Sequence, residues 1–379
     1  MSGTAVRLAV VLSLFVSSLA WSSAAKTGAQ TEAQTESQIE TDTASPVLPL
    51  LAGRFVVSVT WELPSGASGH GTALALSNVS GSCWLFDSDN IEITAKILNG
   101  TALNGHYWVF LASMTDVAYT VTVVDRGSLA CLGSVPACPE KTYANPAGKN
   151  QNFLDVEAFT EATPFSVPTV GDLLTVSPRL PTSADRIDLH VNVTPACLQG
   201  DQPAQVLGNT IRYNVTTFPV CPPFPFPPTQ SVGQVGPLPA GLYSVVVSVD
   251  GVPQPSAELR VTDPTTSLHV QEGLDLNLDW QLGGGSGGGS ASAVALSEES
   301  GYFWFFNAEN VEVTAKVLDG RSINGHFWLF AASMTDVAHT LTVTDHRDPA
   351  CAARPAGCPR KTYTTLAGRN VNLIDLNLF

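Results

Sequence analysis

The sequence predicts an all-β protein made of three β-sandwich domains. Three observations lead to this prediction. One segment of the chain occurs twice, and each copy contains short alternating or apolar runs at roughly ten-residue spacing, with turn residues between them. The segment between the copies has its own series of alternating, β-branched runs. The predicted order is therefore repeat, sandwich, repeat.

The duplication is centred on a short aromatic stretch. NGHYWVF at 104–110 returns as NGHFWLF at 324–330, an offset of 220 residues. This offset holds without a gap from 81–159 onto the second copy, and 39 of those 79 positions are identical. With one residue inserted in a Gly/Ser loop, Trp61 also aligns with Trp280. Such identity at a fixed offset indicates a duplicated structural unit.

Each copy is predicted to hold about eight strands. In the first copy they cover 56–62, 72–76, 83–86, 91–98, 106–112, 119–124, 141–143 and 152–159. The run 83–86 and the strand 106–112 are apolar on both faces, which is typical of buried strands. The run 91–98 alternates with a period of two, which predicts a half-buried strand. Asn99-Gly100 and Asn104-Gly105 are predicted to form tight turns with positive φ.

The middle segment, 164–264, differs in character from the repeats. Its alternating runs are 173–178, 187–194, 210–218, 242–250 and 257–262, with a proline-rich turn at 221–228. LPAGLYSVVV at 238–247 resembles the "LPAGxYxVxV" hairpin entry of bacterial immunoglobulin-like and fibronectin-like modules. This resemblance implies an immunoglobulin-like β-sandwich for the middle segment and nothing specific about a ligand.

The N-terminus is typical of a secretory signal peptide. Arg7 precedes an apolar run at 8–20, and small residues at 22–25 supply a cleavage site. We therefore predict a signal peptide at 1–25 and no membrane span in the mature chain. A disordered acidic linker is expected at 26–50, where large apolar side chains are nearly absent up to residue 46. The repeats are predicted at 51–160 and 270–379.

Charge and composition exclude some classes of function. The chain has 18 basic and 33 acidic residues, a formal net charge of −15. Nucleic acid binding requires a basic surface, so no nucleic acid partner is expected. The hydrophobic content of 44% is enough for folded cores and argues against a disordered chain.

The seven cysteines fit an oxidising compartment. The expected disulfides join cysteines within one segment: Cys131–Cys138, Cys351–Cys358 and Cys197–Cys221. Cys83 is expected to be a buried free thiol. A zinc site is the weaker alternative, because each pair needs two more ligands and His346 of the second copy is Arg126 in the first.

The repeat also resembles a module of secreted multidomain bacterial proteins. The resemblance is carried by 303–306, Asn310, Glu312, 316–320, 324–330 and 335–345. The first copy departs from that pattern at Cys83 and Leu85, where aromatic residues are expected. The resemblance implies export and a modular organisation, and it implies no particular activity.

One polar face is kept between the copies and is the candidate interaction face. Its residues are Glu92, Thr94, Lys96, Thr120 and Thr122 in the first copy and Glu312, Thr314, Lys316, Thr340 and Thr342 in the second. A face that only meets solvent has no need to stay identical while half of the other positions change. The two interpretations left open are cross-strand pairing that stabilises the sheet and a shared interaction surface.

The other candidate sites each have a structural explanation that we favour. His106 and His326 are interpreted as core histidines with one hydrogen bond, in preference to catalytic or metal-binding residues. The turn at 87–90 is interpreted as a strand cap, with an irregular calcium site as the alternative. Three matched tryptophan pairs favour core packing over a carbohydrate platform: Trp61 and Trp280, Trp84 and Trp304, Trp108 and Trp328.

These observations predict a secreted, non-catalytic binding or structural protein without a cofactor. No GxSxG motif occurs, and no cysteine has a base at a recognisable spacing. Two copies of one module suggest bivalent interaction or adhesion. The expected partner is an extracellular protein or polysaccharide surface. The alternative is an accessory or catalytic sandwich that acts on extracellular polysaccharide.

Overall fold

The computed structural model describes residues 45–127, 138–160, 174–192, 198–200, 203–218, 230–285, 287–349, 351 and 357–379. The prediction of an all-β fold is confirmed, because the described residues form mostly antiparallel β-sheets and contain little helix. No helix in these described stretches is long and apolar enough to cross a membrane. The predicted signal peptide lies outside the described residues.

The first repeat forms two five-stranded sheets. Its strands are β1 (Val47–Leu50), β2 (Phe55–Glu62), β3 (Ser68–His70), β4 (Thr72–Ala75), β5 (Ser80–Trp84), β6 (Ile93–Gly100), β7 (His106–Ser113), β8 (Ala118–Asp125), β9 (Glu140–Asn145) and β10 (Phe153–Thr160), with helix α1 (Thr101–Asn104) before β7. One sheet has the order β1-β2-β8-β9, with β3 paired to β2, and we call it the outer sheet. The other has the order β10-β7-β6-β5-β4, and we call it the inner sheet because it faces the second repeat.

The middle segment forms a three-stranded and a six-stranded sheet. Its strands are β11 (Leu174–Ser177), β12 (Ile187–Asn192), β13 (Leu198–Gly200), β14 (Gln205–Leu207), β15 (Thr210–Thr217), β16 (Gln230–Val235), β17 (Gly241–Val249), β18 (Val252–Pro253) and β19 (Ala257–Val261). All five predicted strands of this segment are present. The pair β15 and β17 is parallel, and the other pairs between these strands are antiparallel.

The second repeat reproduces the first strand by strand. Its elements are β20 (Ser267–Val270), β21 (Leu274–Gln281), a 3₁₀ turn (Gly283–Gly285), β22 (Gly288–Ser290), β23 (Ser292–Ala295), β24 (Ser300–Trp304), β25 (Val313–Asp319), α2 (Arg321–Asn324), β26 (Phe327–Ser333), β27 (Ala338–Asp345), β28 (Arg360–Thr365) and β29 (Asn372–Asp375). The outer sheet is β20-β21-β27-β28, with β22 on β21, and the inner sheet is β23-β24-β25-β26-β29.

Each repeat begins earlier than the sequence indicates. Strand β1 lies at the end of the stretch predicted as a disordered linker, and Leu48 and Leu50 in it are buried. Strand β20 is its counterpart, with Leu268 and Val270 buried. The sequences VLPL and SLHV share only one leucine, so identity could not reveal the match. The prediction of disorder is therefore wrong for residues 47–50.

Each repeat has a core between its outer and inner sheets. In the first repeat Phe55 and Val121 of the outer sheet meet Ile93, Ile97 and Val109 of the inner sheet. The second repeat and the middle segment have cores of their own. That the three cores are three independent domains stays a prediction.

The two inner sheets pack against each other. Their contact forms a fourth apolar cluster: Leu76, Ile91, Ala112 and Met114 from the first repeat, and Val294, Tyr302, Val311, Ala332 and Met334 from the second. We call the surface where the two inner sheets meet the repeat interface. The middle segment reaches its edge, where Arg179 N donates to Leu76 O at 3.0 Å and Leu180 packs against the cluster.

Two predictions about strand β6 are wrong. The strand is not half-buried: Thr94 and Lys96 are as inaccessible as Ile93 and Ile97, because the second repeat covers the polar face. Gly100 has φ of −95° and makes no turn of positive φ. It is a glycine because an added Cβ would lie 2.1 Å from the Trp108 ring. Gly105 has the predicted positive φ, 79°, and it ends helix α1, which was not predicted.

Candidate functional site at the repeat interface

The structure separates the ten candidate interaction residues into two groups. Six of them lie in the repeat interface and are no more than 3% exposed: Glu92, Thr94, Lys96, Glu312, Thr314 and Lys316. Thr94 and Lys96 are in β6 and Thr314 and Lys316 are in β25, each strand lying inside its inner sheet. The lysines and threonines of this group contact the other repeat. The expectation that it forms an accessible surface for an external partner is therefore wrong.

The other four residues lie on the outer sheets, away from the repeat interface. Thr120 and Thr122 are half-buried on β8, and Thr340 and Thr342 are half-buried on β27. Thr340 and Thr364 of the neighbouring strand have their Oγ1 atoms 3.1 Å apart. These residues fit the interpretation of cross-strand pairing. The sequence assigned one role to residues that have two.

The buried group makes reciprocal contacts between the repeats. Lys96 Nζ donates to Asn310 Oδ1 at 2.8 Å and to the carbonyl oxygens of Val311 at 3.0 Å and Met334 at 2.8 Å. In return, Lys316 Nζ donates to Asn90 Oδ1 at 2.5 Å. Reciprocal contacts between equivalent residues are the signature of a two-fold, isologous interface. Here the pseudo-two-fold relates two parts of one chain.

An asparagine connects each buried glutamate to the lysine of the other repeat. Asn90 Nδ2 donates to Glu92 Oε1 at 3.3 Å while its Oδ1 accepts from Lys316. Asn310 Nδ2 donates to Glu312 Oε1 at 3.0 Å while its Oδ1 accepts from Lys96. The amide therefore lies between the two charges, which attract each other without direct contact.

The remaining glutamate oxygens are also satisfied. The backbone N–H of Leu85 donates to Glu92 Oε2 at 2.5 Å, and that of Phe305 donates to Glu312 Oε2. At the centre of the interface the Oγ1 atoms of Thr94 and Thr314 are 3.4 Å apart. The lysine, asparagine and threonine contacts that cross the interface hold one relative arrangement of the two repeats, because any shift leaves these buried groups without partners.

Burial shifts the protonation of all four charged groups. It raises the pKa of Glu92 and of Glu312 to about 7, although the lysine of the opposite repeat acts to lower both values. It lowers the pKa of Lys96 and of Lys316 to about 8, against the attraction of the opposite glutamate. Desolvation is the dominant cause in each case. The interface therefore holds groups that titrate close to neutral pH.

The turn at 87–90 has a role that its sequence did not indicate. Asp89 N donates to Asp87 Oδ1 at 3.1 Å, which agrees with the predicted capping turn. The carbonyl oxygen of Asp89 then accepts from Ser297 and Ser300 of the second repeat, at 3.0 and 3.2 Å. The equivalent Glu309 carbonyl accepts from Ser77 and Ser80 of the first repeat, at 2.6 and 3.2 Å. Each turn thus docks onto the other repeat.

Asparagines form hydrogen bonds across another part of the interface. Asn152 Nδ2 donates to Asn370 Oδ1 at 2.7 Å and to Ser333 O at 3.1 Å. Asn372 Nδ2 donates in return to Asn150 Oδ1. These residues were not predicted. The available signal was that Asn90, Asn150 and Asn152 are all identical in the second copy, as the glutamate and lysine are.

The repeated histidines have no catalytic surroundings among the described residues. His106 is the first residue of β7 and His326 directly precedes β26, and both are half-buried. The Nδ1 atom of each is buried and has no hydrogen-bond partner within the described part of the chain. No acid or base contacts either ring there. The predicted single hydrogen bond to a core histidine is absent at this nitrogen.

The tryptophan pairs have two different environments. Trp108 and Trp328 pack over Gly100 and Gly320, and each indole N–H donates to the asparagine four residues earlier. Trp61 and Trp280 are half-buried, as Trp108 is, but they lie beside exposed phenylalanines.

In the first repeat the ring centroids of Trp61 and Phe86 are 4.8 Å apart, and Phe86 is 50% exposed. In the second, those of Trp280 and Phe306 are 4.7 Å apart, and Phe306 is 53% exposed. The predicted buried run 83–86 therefore ends before Phe86. We call these two pairs the aromatic pairs.

Four of the seven cysteines lie among the described residues. Cys351 and Cys358 form a disulfide, and Cys83 is free and buried, both as predicted. Burial, with the nearby Glu92 charge, raises the pKa of the Cys83 thiol to about 12, so it is an unreactive thiol. Cys138 is disulfide-bonded. Cys131, Cys197 and Cys221 lie outside the described residues.

No protein-family model, no curated protein and no solved structure matches this chain. The resemblance of the repeat to modules of secreted multidomain bacterial proteins therefore stays a prediction.

Proposed function

We propose that this chain is a secreted, non-catalytic binding protein that presents two equivalent aromatic sites to a polysaccharide surface. The observation that carries the proposal is the occurrence of the same half-exposed aromatic pair in both repeats. Phe86 and Phe306 are held against Trp61 and Trp280 at equivalent positions. Exposed aromatic rings offer flat apolar faces that match the C–H faces of sugar rings.

The surroundings of the aromatic pairs supply polar groups for sugar hydroxyls. Thr60 and Glu62 flank Trp61 on β2 and are exposed, and Asp279 flanks Trp280 on β21. A glycine of a short neighbouring strand lies against each indole. A Cβ added at Gly69 would lie 2.6 Å from the Trp61 ring, and one added at Gly289 would lie 3.2 Å from the Trp280 ring. A flat ring next to hydroxyl and carboxylate groups combines apolar contact with orienting hydrogen bonds.

The repeat interface fixes the positions of the two aromatic pairs relative to each other. It joins the two repeats through buried, mutually satisfied polar groups, so the two aromatic pairs keep fixed relative positions. A fixed pair of sites that both engage one surface gains apparent affinity without new contacts. The most strongly shifted carboxylates, Glu92 and Glu312, are enclosed between the repeats, where no substrate reaches them. This enclosure supports a non-catalytic role.

The test is a pull-down of the purified full chain with insoluble polysaccharides such as cellulose, chitin and peptidoglycan. We expect Phe86→Ala or Phe306→Ala alone to lower the apparent affinity by roughly tenfold or more through lost avidity. The double variant should lose binding. Leu154→Ala with Ile374→Ala is the matched control, because these residues are 55% and 43% exposed at equivalent positions of the two repeats.

Three outcomes would overturn the proposal. Parental binding by the double phenylalanine variant would show that the aromatic pairs are not the site. Release of soluble sugar by the parent chain would support the alternative of a catalytic sandwich. If no polysaccharide binds the parent at all, the aromatic pairs have only a structural role.

A further inference from the structure

A second candidate site lies on the second repeat, at the disulfide that follows its outer strand β27. Cys358 Sγ is 3.7 Å from His346 Nδ1, and Cys351 is bonded to Cys358. One ligand atom from each of these three residues lies within 4.8 Å of the others. We call His346, Cys351 and Cys358 the sulfur–imidazole cluster. Sulfur and imidazole nitrogen are the ligands that Zn²⁺ prefers.

The orientation of His346 is fixed from behind by a carboxylate. Its Nε2 atom is 3.1 Å from Asp275 Oδ2, and the other oxygen, Oδ1, is 2.5 Å from His269 Nδ1. With Asp275 accepting from Nε2–H, the neutral ring keeps the lone pair of Nδ1 directed at the sulfur atoms. A carboxylate behind a histidine is the usual support of a zinc-binding imidazole.

The first repeat shows that the fold alone does not require these groups. Register in the outer sheets places Pro49 and Val56 where the second repeat has His269 and Asp275. The position of His346 is Arg126 in the first repeat. Three separate positions have thus acquired imidazole or carboxylate groups around one cysteine pair only. Sheet stability does not explain this, since the first repeat forms the same sheet without them.

We propose that the second repeat carries a redox-gated zinc site. In the oxidised chain the disulfide occupies both sulfur atoms. A thiol reductant breaks the Cys351–Cys358 bond: two R–SH groups supply two electrons and two protons, become R–S–S–R, and leave two cysteine thiols. Zn²⁺ then displaces a proton from each thiol and is held by two thiolates and His346 Nδ1, with water as the fourth ligand.

This site requires only a local rearrangement. At zinc–ligand distances of about 2.3 Å for sulfur and about 2.0 Å for nitrogen, the ligand atoms lie roughly 3.5 Å apart. The imidazole nitrogen already lies at such a distance from Cys358. The two sulfur atoms must separate from bonding distance, while Asp275 keeps the ring in place.

The experiment uses the full chain, reduced with a dithiol, desalted without oxygen and dialysed against Zn²⁺. We expect about one zinc per reduced chain and none per oxidised chain. Co²⁺ in place of zinc should give the thiolate-to-metal absorption band. Asp275→Asn should weaken zinc binding by about 10- to 100-fold, and His346→Arg, which copies the first repeat, should abolish it. Glu272→Gln, which removes an exposed carboxylate three residues before Asp275, is the control and should keep one zinc.

Circular dichroism of every variant checks that the chain remains folded. Parental zinc affinity in His346→Arg would overturn the proposal, as would binding that does not depend on reduction. Two zinc ions per reduced chain would also contradict it, because the cysteine pair of the first repeat would then suffice without a histidine. Failure here leaves the polysaccharide proposal untouched, since no residue of the aromatic pairs belongs to the sulfur–imidazole cluster.

Discussion

The inner and outer sheets of each repeat look alike in sequence and differ in what covers them. Strand β6 and strand β8 both alternate apolar and polar residues, and both keep threonine at the same positions in the second copy. Yet Thr94 is fully buried, whereas Thr120 is only half-buried. The difference is that β6 faces its own duplicate. A period of two identifies the face of a strand that does not enter its own core, and that face need not meet water.

This comparison also shows why the repeat interface is polar. Two apolar inner sheets could slide on each other, since hydrophobic contact has no direction. Lys96 and Lys316 each donate to an asparagine of the opposite repeat, and that asparagine in turn donates to the glutamate of its own repeat. The aligned arrangement is the one in which these groups are all satisfied. We infer that the polar residues specify the register of the two repeats, while the apolar cluster supplies most of the stability.

The largest expected effect comes from removing one buried cation. Lys96→Ala should lower the free energy of unfolding by about 3–5 kcal/mol, because Glu312 loses its countercharge and three oxygen atoms lose their donor. Lys141→Ala is the matched control on the outer sheet. Its ion pair with Asp155, at 3.0 Å, is partly exposed, and such pairs contribute about 0–1 kcal/mol.

Urea unfolding followed by circular dichroism measures both variants. A loss for Lys96→Ala no larger than that for Lys141→Ala would contradict the distinction between the two sheets.

The same residues show which features of the structure could be predicted from the sequence and which could not. The strands were predictable, because alternation and turn residues act locally: β2, β7 and β8 lie within one or two residues of the predicted bounds. The partner of Lys96, Asn310, was not predictable, because it lies 214 residues away in the chain. A local sequence pattern contains no information about contacts at that separation. The retained identity of Glu92, Thr94 and Lys96 did indicate a shared contact. It could not indicate that the contact is intramolecular.

The second prediction concerns pH. Glu92 and Glu312 should make the repeat interface less stable as the pH rises from about 5 to about 7. Their pKa in the folded chain, about 7, is above the ordinary value of 4.5. Between these values the unfolded chain has released protons that the folded chain keeps, so rising pH favours unfolding. The loss is at most about 1.4 kcal/mol per pH unit for each proton.

The measurement compares urea midpoints of the parent and of Glu92→Gln with Glu312→Gln across this range. The double variant should lack the decline, and its stability relative to the parent should increase with pH. The lysines, with a pKa of about 8, stay charged in this window. Glu140→Gln, at an exposed position of the outer sheet, is the control and should keep the parental slope. Parallel curves for the parent and the double variant would contradict the prediction.

The smallest effect tests the centre of the interface, where Thr94 and Thr314 meet with their Oγ1 atoms 3.4 Å apart. Thr94→Val keeps the shape of the side chain and leaves the Thr314 hydroxyl without its partner, so it should cost about 1–3 kcal/mol. Thr94→Val with Thr314→Val removes both hydroxyls and should be nearly neutral.

The resulting double-mutant cycle should therefore show a coupling of about 2 kcal/mol or more, because each single variant leaves one buried hydroxyl without its partner at a cost of about 1 kcal/mol or more. The matched pair on the outer sheet is Thr340 with Thr364, whose Oγ1 atoms are 3.1 Å apart at the exposed surface. Water replaces either hydroxyl there, so its cycle should give a coupling of only a few tenths of a kcal/mol. Equal couplings in the two cycles would show that burial against the second repeat does not distinguish the inner sheet. A coupling confined to Thr94 and Thr314 would show that two identical residues, 220 positions apart, stabilise the chain as a pair.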